Sequence, residues 1–285
     1  MDTGIAYTVR SMVAPLRRVL LVRPSVTGDF AGAGWRDPDR AALLREHDEF
    51  AALLESLGVD VTVEPAPDGL VDACFAYDSA YVAGTGYVRL QLAKPARRAE
   101  PEFMARWLDA NGVPCLGTLT GAATADGGDM FFVDSSTLMV GRGYRTNAAA
   151  HAQLAELLAP QGISVERADL PHHRGPDHVM HLMSVVSPVA EDLAVVFEPL
   201  APVSLLEQLD ARGIRWVACE PGEWESQGCN VLAVRPGVVV VADGNPVTRA
   251  RLEAAGVEVH AYHATELNKG DGGPTCLTRP LLRLG

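Results

Sequence analysis

The segment CFAYDSAYVAGTGYVRLQLA (residues 74–93) has the pattern of two strands joined by a tight glycine turn. An amphipathic helix over about 101–110 and a third strand, VPCLGTL (113–119), are expected to follow it. The order strand, strand, helix, strand is one supersecondary unit, which is too small to bury a core of its own. The fold therefore depends on whether the unit is repeated.

The same order of elements returns four times along the chain. The further copies open at DMFFVD (129–134), HLMSVVSPV (181–189), NVLAVRP (230–236) and, split between the termini, PTCLTRPLLRL (274–284) followed by RVLLVRP (18–24). Their helices are expected at about 147–158, 202–212, 246–255 and within 36–58. Such units pack around a shared axis, so we predict one α/β domain over 1–285: a five-bladed α/β propeller of pseudo-symmetric ββαβ repeats rather than an ordinary α/β fold of accidental regularity.

Composition narrows the class of partner. Hydrophobic residues make up 48% of the chain and charged residues 21%, a normal globular balance. The net charge of −12 argues against a nucleic-acid partner and leaves room for a cationic small molecule. Arginines interrupt the N-terminal apolar residues and no apolar run has membrane-spanning length, so we expect neither a secretion signal nor a membrane partner. Five cysteines without a CxxC pair favour a reduced, cytoplasmic setting.

Residues with chemically useful side chains stand near the start of the first strand of each unit. They are Asp72 and Asp78, Asp126 and Asp129, His181, Cys229 and Asn230, and Cys276. Pseudo-symmetry would bring these strand starts together near the axis. One pocket would then hold a nucleophile, a general acid/base and acids that bind a cation.

Most single cysteines have only structural roles. We interpret Cys74, Cys115 and Cys219 as small core hydrophobes. Cys276 differs because it lies in GDGGPTCLT, where glycines allow the backbone to approach a ligand closely.

The histidines invite a different interpretation. Taken alone, His181 would be a core histidine, and residues 172, 173, 178 and 181 could together suggest a metal site. No thiolate or carboxylate stands at ligand spacing from them, so we expect no metal. LPHHRGPDHVM (170–180) is instead interpreted as a loop before the catalytic strand.

Five short motifs, taken in order, resemble those of the guanidino-group-modifying (pentein) superfamily. They are Asp126-Gly127-Gly128-Asp129, Arg145-Thr146-Asn147, His181-Leu182-Met183-Ser184, Asn230-Val231-Leu232 and Gly272-Gly273-Pro274-Thr275-Cys276. The superfamily includes arginine deiminases, amidinotransferases and dimethylarginine dimethylaminohydrolases. The resemblance covers nearly the whole chain and implies a five-bladed pentein fold. It implies that Cys276 is the nucleophile, that His181 is its proton-transfer partner, and that Asp126 orients His181 or the guanidinium. No cofactor is implied.

Dimethylarginine dimethylaminohydrolases resemble this chain further, in VDACFAYD (71–78) and PARR (95–98). By that resemblance Asp78 would hold the guanidinium and Asp72 would assist at the amino-acid end. Arg97 and Arg145 would hold the substrate carboxylate, and Asn230 joins the substrate-binding residues.

Two positions depart from the family patterns. Met183 stands where deiminases and amidinotransferases usually carry a second acid, which would suit an alkyl-substituted nitrogen and disfavours an arginine deiminase. Tyr77 replaces the glutamate of the dimethylarginine dimethylaminohydrolase motif.

We therefore predict a hydrolase that cleaves a C–N bond of a dimethylarginine- or arginine-like guanidino compound. A thiouronium intermediate on Cys276 would give a ureido product such as citrulline and release an amine or ammonia. Two alternatives stay open: an amidinotransferase, and a non-catalytic binding protein of the same fold. The partner is expected to be the small-molecule substrate alone, bound by a monomer or homodimer.

Overall fold

Five three-stranded sheets, each with one α-helix inserted before its last strand, make up the computed structural model over residues 7–284, the part of the chain that it describes. The strands are β1 Leu16–Arg23, β2 Asp60–Pro65, β3 Ala80–Ala83, β4 Gly86–Arg89, β5 Cys115–Thr118, β6 Met130–Asp134, β7 Thr137–Arg142, β8 Ser164–Asp169, β9 Val186–Ala190, β10 Leu193–Val196, β11 Arg215–Ala218, β12 Leu232–Arg235, β13 Val238–Ala242, β14 Glu258–Tyr262 and β15 Thr278–Arg283. The helices are α1 Arg40–Ser56, α2 Glu100–Ala110, α3 Ala148–Leu158, α4 Val203–Ala211 and α5 Pro246–Ala254.

Every sheet has the same topology. The first strand pairs antiparallel with the second, and the second pairs parallel with the third across the helix. A parallel pair needs a crossover connection, and the helix supplies it. The fold class predicted from the repeats, a five-bladed α/β propeller of ββαβ units, is confirmed.

The split fifth unit closes the ring. Strand β15 near the C-terminus pairs antiparallel with β1, which places Thr278 opposite Leu21, and β1 pairs parallel with β2. The prediction that the two ends of the chain share one unit is therefore correct. The prediction of a single domain over 1–285 stays a prediction, and residues 1–6 and 285 lie outside the described range.

The strands of a sheet differ in burial, and the third strand is more exposed than the middle one. The middle strand β13 is buried along its whole length, as a strand covered on both faces should be, whereas the third strands β2 and β5 are largely exposed or half-buried. First strands of different units contact one another, β9 with β12 and β15 with β3. The first strands therefore line the axis, and the segments leading into them meet there.

Short 3₁₀ turns precede three of these inner strands, at Val71–Cys74, Gly127–Asp129 and Leu182–Ser184. Their tight geometry depends on glycine at one place in particular. A Cβ at Gly127 would collide with the Tyr77 carbonyl oxygen. The Asp-Gly-Gly-Asp motif is therefore a close backbone contact between two units as well as a source of carboxylates.

Two further observations concern the cysteines and the helices. Cys115, interpreted as a core residue, is exposed on β5, a third strand whose side chains largely face solvent, so that interpretation is wrong.

Within residues 7–284, the helices all fall short of the length and apolarity that a bilayer crossing requires.

Candidate active site

A cavity of about 180 Å³ opens at the end of the axis where the inner strands begin. Six of the eight site residues predicted from sequence line it: Asp72, Asp78, Arg97, Arg145, His181 and Cys276. The other two, Asp126 and Asn230, contact His181 and Cys276 directly. Pseudo-symmetry thus brings residues from all five units to one place.

Cys276 lies just before β15, and its sulfur is held by Asn230. The Asn230 Nδ2 donates to Sγ at 3.0 Å, while Oδ1 accepts from the Thr275 N–H at 3.0 Å. A Cβ at Gly273 would come within 2.6 Å of Asn230 Cγ, so glycine is required for this approach. Both ends of the Asn230 amide are used within the protein, and its predicted contact with substrate stays a prediction.

The surroundings of the Cys276 thiol favour its protonated form at neutral pH. Burial and, next, the negative charge of Asp78 raise its pKa to about 11. The hydrogen bond from Asn230 acts in the opposite direction but is outweighed. A nucleophilic thiolate therefore needs a further positive charge in the cavity.

His181 precedes the 3₁₀ turn before β9 and lies between carboxylates. Its Nε2 is 3.1 Å from Asp126 Oδ2, and its ring packs so closely on Gly128 that a Cβ there would collide with Nδ1. Burial disfavours the imidazolium, but the charges of Asp78, Asp126 and Asp129 outweigh it and raise the pKa of His181. The imidazole is thus suited to carry a proton near neutrality.

The two acids of the Asp-Gly-Gly-Asp motif have separate roles. Fully buried Asp126 also accepts from Arg145 Nη1 at 3.3 Å, and although burial opposes ionisation, His181 and the nearby arginines keep its pKa below the usual value. Asp129 accepts from the Leu182 N–H at 2.8 Å and so fixes the backbone next to His181. Burial raises the pKa of Asp129 to about 6.

Asp78 faces the cavity beside Cys276. Its Oδ1 accepts from the Gly128 N–H at 2.8 Å and its Oδ2 from Arg97 Nη1 at 2.5 Å. Arg97 is buried and also pairs with Glu100 at 2.8 Å. To hold a substrate carboxylate, as the resemblance implies, Arg97 would have to release one of these partners. That role stays a prediction.

One part of the cavity lining, formed by Asp72 and Lys94 and here called the far end, contains an ion pair that sequence reasoning missed. Asp72 accepts from Trp35 Nε1 at 2.7 Å and from Lys94 Nζ at 2.5 Å. Lys94 also donates to the Ala33 carbonyl oxygen at 2.5 Å, which ties the connection between β1 and α1 to the pocket. The one available signal was the position of Lys94, directly before the PARR motif.

Metal-ligand atoms do approach one another here, but from the histidine cluster only His181 takes part among the described residues. One ligand atom each from Asp78, Asp126 and His181 lies within 4.8 Å of the others, and each of these side chains already has a protein hydrogen-bond partner. His172 contacts the Tyr144 hydroxyl at 2.7 Å instead. This arrangement is that of a hydrogen-bonded acid/base group.

The two departures from the family motifs are both buried beneath the cavity. Met183 is only 3% exposed and belongs to the apolar core. Tyr77 packs against Tyr81, with the Arg279 guanidinium 4.4 Å from its ring centre. Tyr77 therefore supplies packing where the related motif carries an acid.

Comparison with known sequences identifies one family. The arginine deiminase family model matches residues 60–213 and 203–283. The arginine deiminase of Listeria welshimeri is 28% identical over 259 residues, which are 76% of this chain and 63% of that enzyme. The chain thus spans less than two thirds of the length of such curated relatives.

Comparison with solved structures gives the same fold. The dimethylarginine dimethylaminohydrolase of Pseudomonas aeruginosa, in complex with citrulline, superposes with a TM-score of 0.78 at 19% identity, over 93% of this chain and 99% of that one. The N-terminal domain of ArgZ, covalently bound to a reaction intermediate, superposes with a TM-score of 0.81 at 18% identity, over 93% and 98% of the two chains. At these identities the likeness concerns the fold.

Proposed function

Because this chain belongs to the arginine deiminase family, we propose that it is a hydrolase that cleaves a C–N bond of a guanidino compound. The observation that carries the proposal is the meeting of Cys276, His181 and Asp78 around one small cavity. A nucleophile, a proton carrier and an acid for the guanidinium are the groups that this reaction needs.

Substrate binding activates the nucleophile in this mechanism. Burial and Asp78 raise the pKa of Cys276 to about 11, which favours the thiol before substrate binds. A guanidinium placed against Asp78 neutralises that carboxylate and adds a cation next to Sγ. Both changes favour loss of the thiol proton to solvent, and the resulting thiolate then attacks the central guanidinium carbon.

His181 then moves the proton. Its pKa is raised by the three nearby carboxylates despite burial, which favours the imidazolium as the proton donor of this step. It gives its proton to the departing nitrogen as the C–N bond breaks, and an amine or ammonia leaves. The new S–C bond leaves a thiouronium on Cys276.

Water completes the cycle. Neutral His181, held by Asp126 at 3.1 Å, accepts a proton from water as the oxygen attacks the same carbon. The C–S bond breaks, the sulfur leaves as thiolate, and a ureido product forms as the remaining proton of the attacking water passes to solvent. No redox change occurs at any step.

Turnover of a substrate panel tests the proposal. We expect the purified protein to form equal amounts of ureido product and of ammonia or amine from at least one of arginine, monomethylarginine, dimethylarginine, agmatine and guanidino acids. The names of the related enzymes suggest arginine or dimethylarginine as the first substrates to try. Product formation from none of the panel would refute the proposal. An amidino group transferred to an added amine, with no ureido product, would favour an amidinotransferase.

A further inference from the structure

The far end of the cavity already contains a cation. The sequence has only two lysines, Lys94 and Lys269, among 24 basic residues of the Lys and Arg type, and one of the two points into this pocket. Lys94 is about one-quarter exposed and lies 2.5 Å from the buried carboxylate of Asp72. A built ion pair therefore lies in the lining of the cavity that also holds Cys276.

In this ion pair, Lys94 already contacts Asp72, the acid that an amino-acid substrate would use. Asp72 Oδ1 accepts from Trp35 and Oδ2 from Lys94, so both oxygens have donors. An α-ammonium group brought to Asp72 would have to displace the lysine or sit beside its like charge. Two cations close together in a partly dry pocket repel each other strongly.

Other acids around the cavity do not replace Asp72. Asp177 lines it but is exposed in the loop over 170–180, where water screens its charge. Asp271 is exposed and pairs with Arg36 at 2.7 Å. Neither offers a buried, unpaired carboxylate to an ammonium group.

A carboxylate, in contrast, finds donors at this end. The Lys94 ammonium has three N–H groups and gives two of them to Asp72 and the Ala33 carbonyl. One N–H of the ammonium thus remains, and Lys94 and Arg145 both line the cavity. Charge-assisted contacts of this kind are among the strongest that a polar site makes.

We propose that this pocket selects guanidino compounds that carry a carboxylate but no α-ammonium group, the ω-guanidino acids, with Lys94 as the residue that determines this specificity. The inference rests on the proposed guanidino hydrolase activity and names its substrate class. It replaces the expectation, drawn from resemblance, that Asp72 assists at the amino-acid end of a substrate.

Three compounds of one chain length isolate the two charges. Arginine carries both groups, 5-guanidinopentanoate lacks the amine and agmatine lacks the carboxylate. For the wild-type enzyme we expect kcat/KM for 5-guanidinopentanoate to exceed that for arginine and for agmatine by about tenfold or more, the size of one charged contact. An arginine value equal to or above that of 5-guanidinopentanoate overturns the inference.

Substitutions on the two sides of the ion pair should shift the preference in opposite directions. Lys94→Gln keeps a donor for the Ala33 carbonyl but frees the charge of Asp72, so the ratio of 5-guanidinopentanoate to agmatine turnover should fall about tenfold. Asp72→Asn leaves Lys94 as an unpaired cation, and the ratio should rise. A purely structural Lys94 would weaken all three substrates alike, and that result contradicts the proposal.

Lys269→Gln is the matched control. It removes the same charge from an ion pair with Glu266 at 2.8 Å, outside the cavity lining, and should leave the ratio unchanged. Calorimetric binding of the three compounds to the Cys276→Ser variant tests the selectivity without any chemistry. A wild type that turns over neither these compounds nor the methylated arginines of the wider panel refutes the hydrolase, whereas binding that ranks arginine first refutes the role of Lys94.

Discussion

The two ends of the active-site cavity are built differently. At the guanidine end, Cys276, His181 and Asp78 come from three units of the ring, and each is placed by a rigid neighbour: Asn230 for the thiol, Asp126 for the imidazole, the Gly128 N–H for the carboxylate. At the far end, Asp72 and Lys94 satisfy each other, and a loop carbonyl completes the contact.

The difference separates chemistry from substrate choice. At the guanidine end Asp78 and Cys276 line the cavity together, and although Arg97 pairs with Asp78, this arrangement supports the proposed chemistry. At the far end, Lys94 neutralises the charge of Asp72, so a charged group of a substrate must compete with one of these two side chains. Reaction type and specificity can therefore change independently in this fold, as expected when function resides in sites rather than in folds.

The largest effect should come from the nucleophile. Cys276→Ser should abolish turnover of every guanidino substrate, because a serine hydroxyl in this position does not ionise. Circular dichroism and the melting temperature should stay close to wild type, since the side chains are similar in size. The exposed Cys115 supplies a matched control, and Cys115→Ser should retain full activity. Residual activity of the Cys276→Ser variant at the wild-type level would remove the thiol from the mechanism.

Sequence alone could place the guanidine end because its residues occupy equivalent points of a repeat. Asp126, His181 and Cys276 each precede an inner strand, and a five-fold ring brings such points together whatever the details of packing. Glycines beside them marked the close approaches that the structure contains at Gly128 and Gly273.

The far end was beyond such reasoning because its contacts join loops. Lys94 meets Asp72 across 22 positions of sequence and meets the Ala33 carbonyl from another unit. Likewise, the guanidinium of Arg97 turns towards Asp78 and Glu100 within its own unit. These pairs depend on the paths of loops and on the rotamers of long side chains. Neither property produces a periodic pattern in the sequence.

Removing the proton carrier should separate the two halves of the reaction. His181→Gly lacks the base that activates water, so turnover should fall by roughly 10²–10⁴-fold, the usual range for a general acid/base. An S-alkylisothiourea analogue, whose thiol leaves without protonation, should still transfer its amidino group to Cys276. We expect the adduct to accumulate and to be visible by mass spectrometry after an acid quench.

The buried but non-catalytic His47 provides the comparison for His181. It is fully buried in α1, and burial lowers its pKa to about 4, so it carries no proton at neutral pH. His47→Gln should lower the melting temperature without any adduct appearing. If His181→Gly also shows normal turnover and no adduct, His181 is a core residue.

A smaller effect is expected from a substitution of Arg145, which also lines the cavity. Arg145→Ala should lower kcat/KM for substrates with a carboxylate by roughly tenfold to a few hundredfold, the loss of one or two charged hydrogen bonds. Agmatine should be affected little. Since Arg145 also lies 3.3 Å from Asp126, an equal loss for both substrate types would assign it to the support of His181 instead. Arg142→Ala, at an exposed pair with Asp169, is the control and should change neither.

The smallest effect tests the resting state of the thiol. Asp78 raises the pKa of Cys276, second only to burial, so Asp78→Asn should lower that pKa. A lower pKa gives more thiolate at pH 7–8, by about tenfold when the pKa falls by one. Iodoacetamide should therefore alkylate Cys276 severalfold faster in the variant, even though its substrate turnover falls. Release of Arg97 from its contact with Asp78 acts in the same direction, because the freed guanidinium stabilises a nearby anion.

Alkylation should be followed on the peptide that contains Cys276, because exposed Cys115 reacts independently. Asp271→Asn removes an equal charge from the lining of the same cavity. Because Arg36 pairs with that carboxylate and Asp271 is not a main cause of the raised thiol pKa, the alkylation rate should stay close to the wild-type value. A guanidinium salt added to the wild type should imitate Asp78→Asn by neutralising the carboxylate. If Asp78→Asn leaves the rate unchanged, burial alone holds the thiol proton, and the binding of substrate cannot activate Cys276 through Asp78.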